Sequence, residues 1–87
     1  MRNMKYLIVL NCGILMNELA RSIGKQIKLL RVDKELKQSD VSQVINIDPS
    51  YLGRIERGEI NISVETLARI ASALECKPSD ILMAIDL

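Results

Sequence analysis

The chain has 87 residues, a net charge of +1 and an aromatic content of 2%, with no Trp, Phe or His. This is one domain's worth of chain, and its core must be built from Leu, Ile, Val, Ala and Met, a palette that favours packed helices. Cys12 and Cys76 stand far apart with no CxxC pair and no histidine beside them, which excludes the usual zinc spacings and reads as reduced, buried thiols of a cytoplasmic protein.

Charge is unevenly spread. Residues 1–37 hold eight Lys/Arg against three Asp/Glu, whereas residues 38–87 hold four against eight. A polarised chain can present a basic face without a basic total, although solvated helix faces also scatter charge this way.

In chain order, residues 1–16 come first as an N-terminal apolar extension. Arg2 and Lys5 precede an apolar run from Tyr6 to Met16. The run has the look of a signal peptide but is shorter than the ~20 residues a bilayer span needs. Asn11 interrupts it, no clear A-x-A cut follows, and no membrane association is expected. "KYLIVL" is β-prone and could pair with another chain. Alternatively, Met16 is the natural start. The favoured expectation is an appended segment that packs on the domain or on a second subunit.

The domain itself is expected over residues 17–87. Asn17 can cap a first helix with Leu19, Ala20, Ile23, Ile27 and Leu30 on one face. Gly24 weakens that helix by ~1 kcal/mol relative to Ala, which moves its expected start toward Ser22. A second helix covers about Gln38–Ile45, with Val41, Val44 and Ile45 as its buried stripe. Asn46 suits the left-handed conformation that ends a helix, and Ile47 plugs the turn. Asp48 then caps a third helix opened by Pro49, stopped at Gly58 and anchored inward by Leu52 and Ile55. Ser63 caps a fourth helix striped by Val64, Leu67, Ile70, Ala71 and Leu74. "KPSD" opens a short fifth holding Ile81, Leu82 and Ile85. The expected fold class is all-α, with five helices.

The second and third helices are short and sharply bent against each other, which makes a rigid wedge. On the third, Ser50, Gly53, Arg54 and Arg57 fall at i, i+3, i+4 and i+7, opposite Leu52 and Ile55. This strip of small and basic residues suits a helix that enters a DNA major groove. Small residues allow close approach, and the Arg fork matches guanine O6 and N7. An ordinary solvated helix with two surface arginines fits the same pattern.

The stretch "IGKQIKLLRVDKELKQSDVSQVINIDPSYLGRIERGEINISVETLARIASALECKPSDIL" resembles the lambda-repressor-like (Cro/repressor, xenobiotic-response-element type) helix-turn-helix family. The motifs that carry the likeness are "LLR" in the first helix, Gln38 opening the second, "YLGRIERG" in the third and "NISVETLARIASAL" in the fourth. "SYLGRIERGEINIS" looks most like the controller proteins of restriction–modification systems. The resemblance implies that Gln38 touches a phosphate, that Ser50, Tyr51 and Arg54 read base edges, and that Arg57 and the Asn61 loop hold the flanking backbone. It also implies a partly buried structural ion pair between Arg31 and Glu56. Lys34 and Lys37 are further candidates for phosphate contact, or simply solvated charges. Tyr51 could read a base, bind a phosphate or pack half-buried.

The departures from the family pattern shift this picture. Lys37 stands where a capping Ser or Thr is usual, and Asn46 replaces the turn glycine. Pro49 occupies a position that often carries a long reading side chain, which moves readout onto Ser50, Tyr51 and Arg54.

One such helix reads too few base pairs to find a site in a genome. Family members answer this by dimerising on an inverted repeat, with recognition helices ~34 Å apart. Met83, Ile85 and Leu87 are left over once the core is filled and are the expected homodimer interface, unless they merely complete the monomer. The chain is expected to need no cofactor or metal and, being too short for a sensor domain, no small-molecule ligand. The expectation is thus a cytoplasmic, sequence-specific regulator of transcription that binds double-stranded DNA and controls its own promoter. The alternative is an antitoxin-type or phage-type repressor with a protein partner. An enzyme is not expected: there is no His, no Cys beside a base, no paired carboxylates on one face and no Gly-rich phosphate loop.

Overall fold

A computed structural model describes the backbone of residues 12–85 and the side chains of residues 17–85. "KYLIVL" and Leu87 lie outside the described residues. Within them are five helices, α1 (Cys12–Asp33), α2 (Gln38–Ile45), α3 (Pro49–Glu56), α4 (Val64–Ala73) and α5 (Pro78–Met83), and no strand.

Helix α1 differs from its expected form. It begins at Cys12 and runs unbroken through Asn17, Ser22 and Gly24, so neither Asn17 nor Ser22 starts it, and one helix crosses the expected boundary between residues 16 and 17. Its inward face is Ala20, Gly24, Ile27 and Arg31, spaced at the helical period. Gly24 is the point where α1 crosses the end of α3. A Cβ there would lie 2.2 Å from the Ile55 carbonyl oxygen and 2.7 Å from that of Glu56. The local cost of a mid-helix glycine is therefore offset by a helix crossing that no side chain would permit.

The helix ends follow local rules. Three helices close in the same way, with a residue of positive φ followed by two backward hydrogen bonds. In α1, Glu35 (φ 58) and Leu36 return to Val32 and Arg31. In α3, Gly58 (φ 77) and Glu59 return to Ile55 and Arg54. In α4, Glu75 (φ 56) and Cys76 return to Ser72 and Ala71. At the starts, Ser63 Oγ accepts from Thr66 N–H at 3.1 Å. Lys37 has no acceptor to offer α2, and the helix compensates with Asp40, whose carboxylate accepts the Lys37 N–H at 2.7 Å. Asp80 does the same for Lys77 at the start of α5, at 2.8 Å.

The core is Ile27 from α1, Val41 and Ile45 from α2, Leu52 and Ile55 from α3, Leu67, Ile70, Ala71 and Leu74 from the α4 segment, and Ile81 from α5. Two expected core positions face outward instead: Val44 is 70% exposed and Val64 83%. At an eight-residue helix the inward stripe is decided by the neighbours. In α2 it rotates toward Ser42, which is buried and donates its hydroxyl to the Ser39 carbonyl at 3.2 Å. Val64 is the first residue of α4, beyond the edge of the packed face. In α5, Ile81 alone is buried, Leu82 is exposed, and Ile85 falls after the helix and is half-buried. Cys76 is a half-buried free thiol packed against the core, and burial pushes its pKa up.

Candidate nucleic-acid interface

The α2–α3 wedge is set by three consecutive residues. Asn46 adopts φ 57, ψ 52 and ends α2, Ile47 sinks against the core, and Asp48 caps α3 before Pro49. Arg69 of α4 donates to the carbonyl of Ile45, tying off an orphan acceptor at the end of α2. Asp48 Oδ1 accepts from both the Ser50 N–H (2.8 Å) and the Ser50 hydroxyl (2.6 Å). The Ser50 hydroxyl bond first, and then the backbone bond, lower the Asp48 pKa below the ordinary aspartate range.

A folded-state pKa below the unfolded one contributes stability above the unfolded value, which is lost as pH falls through the folded value. Asp48→Ala is therefore expected to lower the urea midpoint at neutral pH. The gap to wild type should close as pH drops below about 4, where unfolded aspartate takes up its proton. A gap that stays constant down to acid pH would remove the charge from this account of the cap.

The strip on α3 is partly as expected. Ser50, Arg54 and Arg57 are exposed, and Leu52 and Ile55 are buried on the opposite side. Gly53 is the correction. It is buried, and a Cβ on it would meet Arg57 Nη1 at 3.3 Å and the Gln38 amide at 3.4–3.5 Å. The residues that approach Gly53 closely thus belong to the protein itself: the Gln38 and Arg57 side chains roof it, and it is not an open seat for a base.

Beneath that roof lies a buried polar hub. Glu56 accepts from Arg31 Nε at 2.7 Å and Nη2 at 3.0 Å, a bidentate pair, and from Gln38 Nε2 at 3.0 Å. Arg31 Nη1 goes on to the Leu36 carbonyl at 2.7 Å. Arg31 and Glu56 are both buried, and no buried side-chain polar atom among the described residues lacks a partner. The hub ties α1, the start of α2 and the end of α3 together, and so fixes the angle at which the strip is presented. Gln38 is a member of the hub through its side chain. Its backbone N–H, at the first position of α2, has no intrahelical partner to satisfy it.

The other candidates are dispersed around this centre. Tyr51 is half-buried against the core. Lys37 is exposed at the start of α2, and Asn61 is exposed in the loop after α3. Lys34 is exposed and lines a shallow depression with Leu36, Ala73, Leu74 and Glu75. Met83 is 82% exposed on α5.

Sequence reasoning missed Glu59. Its carboxylate accepts from Arg57 Nε and lies 3.7 Å from Arg54 Nε. The Arg57 hydrogen bond, assisted by the charges of Arg57 and Arg54, holds the Glu59 pKa below the ordinary glutamate range. The signal was present in "RGE", because the residue after a stop glycine folds back over the last turn. No group of His, Cys, Asp or Glu among the described residues could hold a metal ion, and no helix among them is long and apolar enough to cross a membrane.

Comparison with known proteins agrees with this geometry. A helix-turn-helix family profile matches residues 27–81. The chain is 37% identical over 60 residues to the immunity repressor protein of Bacillus phage phi105, covering 69% of this chain and only 42% of the repressor's length. It is 31% identical over 72 residues to the control protein C.MunI of a Mycoplasma species, covering 82% of this chain and 97% of that protein. Among solved structures, the restriction-modification controller protein C.AhdI of Aeromonas hydrophila superposes with a TM-score of 0.69 and 31% identity, over 71% of this chain and 94% of that one. The profile spans both helices of the wedge, the hub and the core beneath them. This chain therefore belongs to the lambda-repressor-like helix-turn-helix family, and is a non-enzymatic, DNA-binding regulator of transcription.

Proposed function

We propose that this regulator acts in the cytoplasm as a homodimer on an inverted-repeat operator, controls its own promoter, and resembles the restriction–modification controllers in its mode of action. The observation that carries the reading is the exposed strip of Ser50, Arg54 and Arg57 on α3, held at a fixed angle by the Arg31–Glu56–Gln38 hub. Arg54 and Ser50 read base edges, with Tyr51 contributing its hydroxyl. Arg57, Lys37, Asn61 and the N-terminal amides of α2 hold phosphates. Lys34 acts at the margin.

The second copy is supported by Leu82 and Met83, two apolar side chains that α5 leaves uncovered, with Ile85 and Leu87 continuing the same tail. Two recognition helices ~34 Å apart would then read half-sites one turn apart on one face of the duplex. Occupancy would rise with protein concentration, which suits a gene that limits its own expression.

Selection of bound duplexes from a random pool should yield an inverted repeat. Arg54→Ala should cost about 1–3 kcal/mol of discrimination at one base pair per half-site. Arg57→Ala should weaken binding to all sequences alike and reduce the salt slope by about one. If Arg54→Ala discriminates as well as wild type, Arg54 is not the reader.

A phage-type repressor is the second reading, favoured by the likeness to the phage phi105 repressor. A neighbouring methyltransferase and endonuclease gene pair would support the controller reading, and a neighbouring phage or toxin gene the repressor or antitoxin one.

A further inference from the structure

Glu59 sits where the reading of the strip has no use for an acid. The surface is expected to meet phosphates, yet its two exposed arginines share one carboxylate. Two backbone features put it there. Gly58 takes φ 77, and the Glu59 N–H returns to the Arg54 carbonyl at 3.0 Å. The side chain of Glu59 is thereby folded back beside the last turn of α3, within reach of Arg54 and Arg57 together. Its carboxylate accepts from Arg57 Nε and lies 3.7 Å from Arg54 Nε, an ion pair without a hydrogen bond. That choice of atom matters, because the paired Nη groups form the fork that matches guanine O6 and N7, and they are left out of the clamp.

We propose that Glu59 is a specificity-determining positioning residue, which holds Arg57 by its Nε, draws Arg54 toward the same carboxylate and competes with phosphate for both. The inference rests on the DNA-reading role of α3 proposed above. Arg57 makes the same exchange of Glu59 for phosphate on every sequence, but on a random sequence Arg54 too gains only a phosphate contact, and to make it fully it must leave Glu59. One ion pair replaces another, and the exchange yields little. At the operator Arg54 reaches its base while staying beside the Glu59 carboxylate that already biases its side chain, so less freedom is lost on binding. Glu59 therefore penalises wrong sequences more than the right one, the repulsive half of a specificity device. It also lowers the positive charge of the strip, and with it the counterion release that drives non-specific binding.

The test compares wild type, Glu59→Gln and Glu59→Ala on the selected operator and on a random-sequence duplex over a range of salt concentrations. Exposed ion pairs contribute little to folding, so both variants should melt close to wild type. Glu59→Gln should bind random duplex about tenfold more tightly at ~0.1 M salt. Its salt slope should steepen by about one, while operator affinity moves by less than about threefold. In an Arg57→Ala background the same substitution should have a clearly smaller effect, because half of the clamp is already gone. If Glu59→Gln leaves both the operator-to-random ratio and the salt slope unchanged, or weakens both duplexes alike, Glu59 has no such role, although the DNA reading stands. If wild type selects no duplex at all, the reading of α3 falls and this inference with it.

Discussion

Replacing Glu56 by alanine is expected to destabilise the domain by about 3–5 kcal/mol, the usual cost of leaving one charge of a buried pair without its partner. Arg31 is 8% exposed and Glu56 7%, so water cannot take over the lost contacts. Three hydrogen bonds end on the Glu56 carboxylate, two from Arg31 and one from Gln38, and all three would be lost together. A domain of this size has a total stability of about 4–13 kcal/mol, so the variant should be close to unfolding at physiological temperature. The measurement is the urea midpoint at unchanged m-value. A loss below about 1 kcal/mol would mean that the hub is solvated in solution. The paired substitution Arg31→Met with Glu56→Leu is the informative partner experiment. Removing both charges avoids the stranded ion, and such replacements are often neutral or stabilising. The double variant should therefore fold while presenting Gln38 and α3 less firmly. Recovered stability with reduced operator affinity would separate the hub's effect on the angle of α3 from its effect on folding.

The second large effect belongs to Gly24. Gly24→Ala should lose at least about 2–3 kcal/mol, even though alanine is the better helix former by ~1 kcal/mol. A Cβ at this position would lie 2.2, 2.7 and 2.9 Å from the Ile55 oxygen, the Glu56 oxygen and the Glu56 carbonyl carbon. All three are backbone atoms, and none can rotate away. Helices α1 and α3 would have to separate, opening the contact around Ile27 and Ile55 and pulling on the Glu56 hub, at the upper end of the usual cost of overpacking. Gly53→Ala is the contrasting control. The atoms nearest its new Cβ are side-chain tips, of Arg57 and Gln38, at 3.3–3.5 Å, and not backbone. Stability should stay level or rise by up to ~1 kcal/mol, while the roof over α3 shifts and DNA binding changes. Thermal melts of the two variants should therefore move in opposite directions, or one should stay still while the other falls. If Gly24→Ala melts like Gly53→Ala, the close crossing of α1 over α3 is wrong.

These variants separate two roles that glycine plays in one short domain. At Gly24 the missing side chain makes room for another helix. At Gly53 it makes room for the Gln38 and Arg57 side chains. The same distinction applies to the charges. Arg31 is removed from solvent, whereas Arg54 and Arg57 remain exposed beside Glu59, with side chains 55% and 61% exposed. On the reading proposed above, a regulator that must bind one site and leave many similar ones needs both: a rigid frame, and exposed basic groups held in order.

What the sequence by itself determined is whatever acts within a few residues. Asn46 in the left-handed region, Asp48 and Ser63 as caps, Pro49 at the first helical position and Gly58 at a stop were all legible. Each acts on backbone hydrogen bonding no more than four positions away. So were the stripes of Leu52 and Ile55 and of Leu67, Ile70 and Leu74, and hence the all-helical wedge and its family. Only the tertiary structure decided the rest. Local propensity argued for a break near Gly24, and the crossing with Ile55, thirty-one positions downstream, overruled it. Val44 and Val64 satisfied the helical period and still face solvent, because a short helix has more apolar positions than its neighbours cover. Gly53 looked open from its own helix and is roofed by Gln38 from another. Periodicity specifies which residues share a face. What that face meets depends on segments distant in sequence, and their close approach leaves no mark on local preferences.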